Sequence, residues 1–324
     1  MKPRARTVFL GSGDFAVPII AALARHPRVE LAGVVTAPGR AGGHGGLPPG
    51  SPVGRWAAEA GIPTLSPSRL RDPDAMAQVA GFAPQLMVLA DYGQIVPREL
   101  LELPPSGALN LHPSLLPRHR GASPIPATIL AGDSETGVSL MLMDAGLDTG
   151  PIIAQLVLPL NGMETAPELE ARLADLAASL VSDDLGRWLD GDLVPTDQQP
   201  AGATLTRQLR REDGRLDPRR EASQLARQVR AYQPWPGSFV ESEAGRLIVW
   251  RARPAAGSGG DAEPGTVVGL AGGGPGLVTG DGVLELLEVQ PQGGRRMTGA
   301  ELLRGHPSWV GALVHGAPGA ESEQ

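Results

Sequence analysis

An α/β domain built on a mostly parallel sheet, followed by a smaller all-β domain, is the architecture this sequence predicts. Three observations carry it. From Thr7 to about Leu158, short apolar runs alternate with helix-like stretches. Thr165–Leu189 keeps helical periodicity throughout. Beyond residue 206 the pattern changes to short segments separated by glycine-rich turns. Strands alternating with helices imply βαβ units and a sheet covered on both faces.

The strands expected in the first domain are Thr7–Leu10, Glu30–Thr36, Gln85–Ala90, Gly107–Leu111 and Val138–Met143. Helices are expected between them at Phe15–Arg25, Val53–Ala60 and Pro73–Ala80. In the long helix, Leu169, Leu173, Leu176, Leu180 and Leu185 recur at helical spacing, and Thr165 with Glu168 forms a capping box. This helix closes a domain expected over residues 1–189. Residues 190–206 lack periodicity and contain two prolines, which reads as a linker. The second domain is expected over residues 207–315, with residues 316–324 as a tail. It opens with a helix at Glu221–Ala231. Strands follow at Ser238–Val240, Leu247–Arg251, Gly265–Gly269, Gly276–Thr279 and Val283–Val289, a spacing that suits a small barrel or sandwich.

Composition narrows the class. With 324 residues, 41% hydrophobic and 19% charged, the chain suits a soluble protein of two domains. No apolar run reaches the roughly 18 residues of a membrane helix. The basic start is followed by a short strand-like run and not by a secretory signal, so the cytoplasm is the expected compartment. Zero cysteines exclude disulfides, thiolate metal sites and a catalytic thiol. The six histidines show neither HxH nor HxxxH pairing, and no metal is expected. The net charge of -7 falls entirely within residues 1–206, which hold 14 Lys+Arg against 21 Asp+Glu. The remainder is balanced, and all its cations are arginines, since Lys2 is the only lysine. Arginine suits bidentate phosphate contacts. A composition biased toward Arg, Ala, Gly and Pro would give the same usage without a function.

The chemistry is concentrated in Gly107–Gly121. Alternate residues of a strand share a face, so Asn110 and His112 point the same way at a strand's C-terminal end. Ligands of open α/β sheets bind beyond those ends. A proline-rich loop follows. A second loop, Met143–Gly150, presents Asp144 and Asp148 near the same edge. An amide, an imidazole and a carboxylate suit acyl transfer to an incoming amine. Asn110 and an N–H of His112 are suitable donors to the tetrahedral oxyanion. Asp148 is placed to take a proton from the amine, directly or through water, and to orient His112. Taken alone, an Asn-x-His at a strand end also fits a turn with a satisfied histidine. The turn Gly11-Ser-Gly13 looks like a truncated dinucleotide fingerprint, but Thr36 and Ala37 stand where its acidic residue belongs.

These residues resemble a family. Asn110-Leu-His112-Pro-Ser-Leu-Leu-Pro117, then Arg120-Gly121, then Gly146-Leu-Asp148-Thr-Gly150 are similar to the paired signature of formyltransferases that use 10-formyltetrahydrofolate. The intervening block Ala131–Val138 resembles the same family. The resemblance implies a Rossmann-like first domain with Asn110, His112 and Asp148 as the catalytic set. It implies that Ser114, Leu115, Leu116 and Pro117 line the folate site. The loop Ala90–Val96, with Ala90, Tyr92, Gly93 and Ile95, would help hold the pterin.

The second domain selects among acceptors. Ala231–Ser238, with Pro234-Trp-Pro236, resembles the branch of the family that formylates methionyl-initiator tRNA. So does Gly280–Pro291, followed by Gly294-Arg-Arg-Met297. By this resemblance the second domain is a small OB-like barrel that carries tRNA, and the chain is expected to be a monomer. The tRNA contacts expected are Arg40, His44, Arg207, Arg210 and Arg211. Residues 38–53 correspond to a family insertion that is normally basic, yet here only Arg40 is charged, and Gln208 stands where a lysine is common. Two rivals remain: formylation of a small amine such as an amino-sugar nucleotide, and a non-catalytic RNA-binding protein.

Overall fold

The computed structural model describes residues 2–38, 50–256 and 260–316. The chain divides into two units. The first takes in the residues up to Pro124, Glu135–Leu160 and Glu168–Arg207; the second takes in Ile125–Ser134, Asn161–Pro167 and the residues from Gln208 onward.

In chain order the elements begin with β1 (Ala5–Gly11), α1 (Ala16–Arg25), β2 (Val29–Val35), α2 (Pro52–Glu59) and β3 (Thr64–Leu65). Next come α3 (Pro73–Gly81), β4 (Leu86–Ala90), α4 (Arg98–Leu101), β5 (Ala108–His112) and β6 (Arg120–Gly121). The series continues with α5 (Pro124–Ala131), β7 (Glu135–Leu142), β8 (Ile152–Pro159), α6 (Ala166–Leu189) and β9 (Leu205–Thr206). The main sheet runs β3-β2-β1-β4-β5-β7-β8. Neighbours from β3 through β5 are parallel, whereas β7 is antiparallel to both β5 and β8. The chain builds outward from β1 to β3, then crosses back to β4 and β5. Open sheets of this kind bind ligands beyond the C-terminal ends of their strands.

Local sequence explains these elements. All five residues of β4 are buried, as a central strand covered on both faces requires. α1 buries Ile19, Ile20 and Leu23 on one side. α2 starts at Ser51, whose side chain accepts the Gly54 N–H at 2.9 Å, with a proline in the first turn. Along α6, Leu169, Leu173, Leu180 and Leu185 are all buried. The five expected strands are present, with ends displaced by a few residues. β8 has no counterpart among them. It is an edge strand, its sequence Ile-Ile-Ala-Gln-Leu-Val-Leu-Pro lacks apolar–polar alternation, and within it only Ile153 is buried.

The second unit adds α7 (Ala222–Ala231), β10 (Ser238–Ser242), β11 (Gly245–Pro254), β12 (Val267–Gly269), β13 (Pro275–Val278), β14 (Val283–Pro291), β15 (Met297–Thr298) and α8 (Gly299–Gly305). The path β10-β11-β14-β13-β12, with β15 on β14, makes an antiparallel half-barrel. Its core joins Leu225, Ala226 and Val229 of α7 to Val249, Leu284, Leu286 and Val289. α8 is capped at its N-terminus by a reciprocal box between Thr298 and Glu301. Among the described residues, no helix is long and apolar enough to cross a membrane.

Candidate active site

β5 lies in the middle of the main sheet. Asn110 is in register with Leu89 of β4 and Met141 of β7, and His112 with Ser139 of β7. Both side chains therefore reach the sheet's C-terminal edge from its interior, His112 with only 6% of its side chain exposed. The loop after β7 brings Asp148 to them. Asp148 Oδ1 accepts from Asn110 Nδ2 at 3.4 Å, and Oδ2 lies 3.7 Å from His112 Nδ1. Asn110, His112 and Asp148 thus converge.

These contacts are long, and Asp148 is held mainly by other groups. Its Oδ2 accepts the Gly121 N–H at 2.8 Å. Its backbone oxygen accepts Gln198 Nε2 at 2.8 Å, and the same amide group donates to Gly150 O at 2.7 Å. Asp148 adopts a left-handed backbone, φ 53°. That conformation costs a non-glycine residue on the order of 1 kcal/mol and persists only where surroundings hold it. Asp144, the loop's other carboxylate, is consumed locally. It accepts the Gly146 N–H and the Thr149 hydroxyl, all within 2.9 Å.

His112 is anchored from its far side. Nε2 lies 2.9 Å from the backbone oxygen of His119. A carbonyl only accepts, so Nε2 carries a proton. This refines the reading from sequence, because only Nδ1, on the Asp148 side, is left for a reacting group. His119 also has a left-handed backbone, φ 56°, and its N–H donates to Thr204 Oγ1 at 2.8 Å. Residues 196–206 take part throughout. Thr196 bridges to Ile152, and β9 pairs in parallel with β6. Gln198 and the Gly121 N–H are the participants that sequence reasoning missed. Nothing local in the non-periodic, proline-containing stretch around Gln198 marks it, whereas Gly121 ends the motif quoted above and only its N–H contact with Asp148 was unforeseen.

The expected folate strip divides by exposure. Ala90, Tyr92, Ser114 and Leu116 are buried. Ser114 Oγ donates to Arg118 O at 2.7 Å, and the Leu116 N–H donates to Ser139 Oγ at 3.0 Å. Their side chains maintain the loop. Ile95 is 92% exposed, Gly93 is exposed with φ 79°, and Leu115 and Pro117 are half-buried. Apolar side chains left open on loops after adjacent strands fit a flat heteroaromatic ring. The Tyr92 hydroxyl has no hydrogen-bond partner among the described residues, and burial pushes its pKa up to about 12.

Arg40 and His44 lie outside the described residues. Arg207, Gln208, Arg210 and Arg211 are exposed. In the second unit, Arg211 lines a shallow groove with Trp235, Phe239, Arg246 and Trp250. Arg246 stacks on Phe239 at 3.6 Å and Arg296 on Trp250 at 3.4 Å. No cluster of three or more His, Asp or Glu residues among the described ones is arranged to hold a metal.

Asp91, directly after β4, has its carboxyl pushed up to about 6. Desolvation is the first cause and the charges of Glu170 and Asp14 add to it, against the lowering effect of the Gly13 N–H. Between about pH 4 and 6 the folded protein holds a proton here that the unfolded chain has released. This carboxyl's contribution to stability therefore falls as pH rises through that window. Asp91→Asn is expected to melt close to the wild type at pH 4 and above it at pH 7. A difference in melting temperature that does not change with pH would contradict this.

The chain is similar to known proteins over both units. Residues 5–185 match the family model described as formyl transferase, and residues 208–307 match formyl transferase, C-terminal domain. A methionyl-tRNA formyltransferase of Roseiflexus sp. (strain RS-1) is 41% identical over 300 residues, 93% of this chain and 92% of that protein. One from Thermus thermophilus is 42% identical over 301 residues, covering 93% and 96%. Among solved structures, HypX from Aquifex aeolicus in complex with tetrahydrofolic acid aligns with a TM-score of 0.60 at 17% identity, over 93% of this chain and 47% of that one. An N-formyltransferase from Helicobacter canadensis aligns with a TM-score of 0.61 at 16% identity, covering 87% and 98%. At such identities these two matches speak for the fold alone.

Proposed function

This chain belongs to the formyl transferase family, and we propose that it transfers a formyl group from 10-formyltetrahydrofolate to the α-amine of methionyl-initiator tRNA. The observation that carries the acceptor is similarity across both domains. Relatives named for that reaction match over 93% of the chain at 41–42% identity. The N-formyltransferase from Helicobacter canadensis, solved with dTDP-3-aminofucose, is 16% identical and speaks for the fold, so it lends the sugar-acting alternative no weight.

The reaction breaks the bond between the formyl carbon and the donor nitrogen and forms one to the amine. One proton passes from the amine nitrogen to the donor nitrogen. Negative charge gathers on the formyl oxygen on the way, and the Asn110 amide is the donor placed to meet it. Asp148 takes the amine proton, directly or through water. His112, with Nε2 committed to His119 O, presents Nδ1 beside Asp148. A proton at Nδ1 would lie between ring and carboxylate, adding positive charge next to the oxyanion. Gly93, Ile95, Leu115 and Pro117 would hold the folate's ring system, with Ala90, Tyr92, Ser114 and Leu116 supporting the loops beneath. Arg40, His44, Arg207, Arg210 and Arg211 are the proposed phosphate contacts, and such binding weakens steeply with salt. The chain acts as a monomer in the cytoplasm in this reading.

A formyl-transfer assay with labelled 10-formyltetrahydrofolate tests the assignment, offering charged initiator tRNA beside amino-sugar nucleotides. Label is expected on the methionyl-tRNA. Label on a sugar amine alone would replace the acceptor, and label on neither would overturn the reading.

A further inference from the structure

We propose that Gln198 is a positioning residue for formyl transfer: its side-chain amide grips the backbone of the Asp148 loop and so sets the Asp148 carboxylate beside His112. Gln198 lies in the non-periodic stretch between α6 and the second unit. It is half-buried there while its neighbours Asp197 and Gln199 are exposed. Both of its donors are used, on Asp148 O at 2.8 Å and Gly150 O at 2.7 Å. Its Oε1 accepts from Arg120 Nε at 3.0 Å and Nη2 at 2.7 Å. Arginine has no acceptor, so Oε1 must face Arg120 and the NH2 group must face the two carbonyls. The amide's orientation is thereby determined by the network.

The same assembly holds both ends of Asp148. Arg120 orients Gln198, which holds the backbone oxygen of Asp148; the next residue, Gly121, holds carboxylate Oδ2 through its N–H. β6, which carries Arg120 and Gly121, is in turn paired to β9. Thr206 Oγ1 donates to Arg120 O and accepts the Ser123 N–H, each at 3.0 Å. Without Gln198 the loop would retain its internal Asp144 contacts, which restrain nothing outside it. Two carbonyls would lose their donors, and a residue at positive φ would lose a principal restraint. All four hydrogen-bonding positions of Gln198 are spent within the protein, which leaves none for a substrate.

A misplacement of about 1 Å in a reacting group can cost about 10²-fold in rate. Gln198→Met keeps the volume and removes the donors. It is expected to lower kcat by about 10- to 100-fold while KM for the folate and for the acceptor each stay within about threefold of wild type. Hydrogen–deuterium exchange should quicken in residues 119–123 and 145–151 and remain unchanged in the β1–β2 region. Arg120→Lys, which cannot fork onto Oε1, should show the same pattern with a smaller loss, and it serves if Gln198→Met folds poorly. A kcat within threefold of wild type, a loss confined to KM, or unchanged exchange in both loops would overturn the proposal. The kinetic arm rests on the formyl-transfer reading. Should the wild type transfer no formyl group, the exchange arm alone still decides what Gln198 does.

Discussion

Asp148→Asn is expected to fold normally and to lose about 10²- to 10⁴-fold in kcat, the range typical of a lost general base. The geometry gives the reason to expect so large an effect from a near-isosteric change. The carboxylate accepts on both oxygens, from Gly121 N–H at 2.8 Å and from Asn110 Nδ2 at 3.4 Å. A carboxamide can accept on one side only. Keeping the shorter bond to Gly121 sets its NH2 against the NH2 of Asn110, and the Asn110 amide must turn over to relieve the clash. The substitution thus removes the proton acceptor and also misdirects the donor proposed for the formyl oxygen. Single-turnover rates with saturating substrates, beside a thermal melt, measure both parts. Turnover within tenfold of wild type would remove Asp148 from the mechanism.

Gly121→Ala should harm stability and rate together. Gly121 has φ 106°, and a Cβ there would lie 2.2 Å from Thr206 O and 3.0 Å from Thr206 Oγ1. The nearest atom is backbone, so either β6 and β9 part or the residue turns away and withdraws its N–H from Asp148. A loss of about 1–3 kcal/mol in urea unfolding is expected, with kcat lowered by about 10²-fold. Gly61→Ala provides the control. Its φ is 67° with nothing within 4 Å of the added carbon, so it reports backbone strain without a clash. Equal effects in the two variants would mean that strain alone accounts for Gly121.

Much of this arrangement could be read in the chain, for identifiable reasons. β4 is a run of five apolar residues because both its faces are covered, and continuous burial leaves a continuous apolar signature. Asn110 and His112 share a face by the two-residue period of a strand, which needs no tertiary information. Asp148 is legible through its glycine-flanked motif and the family resemblance, which select it over Asp144, and the structure adds that Asp144 is tied up by Thr149. What stayed hidden depends on contacts between distant segments. β8 is an edge strand with little burial to pattern it. Gln198 gains its role from a carbonyl 50 residues earlier in the chain. The turn of the His112 ring, which assigns Nε2 to His119 O, follows from how the proline-rich loop folds back and from no property of the histidine's neighbours.

The pairing of β6 with β9 also bears on when the site comes into being. Arg120 and Gly121 are matched to Leu205 and Thr206, and the His119 N–H waits for Thr204, 85 residues further on. A chain growing from its N-terminus can form β5 and the Asp148 loop long before those partners leave the ribosome. During that interval the three side chains proposed to react are present without the strand that pairs with β6. The pairing that completes the proposed site thus becomes available only as about the two-hundredth residue emerges, after every strand of the main sheet has been made.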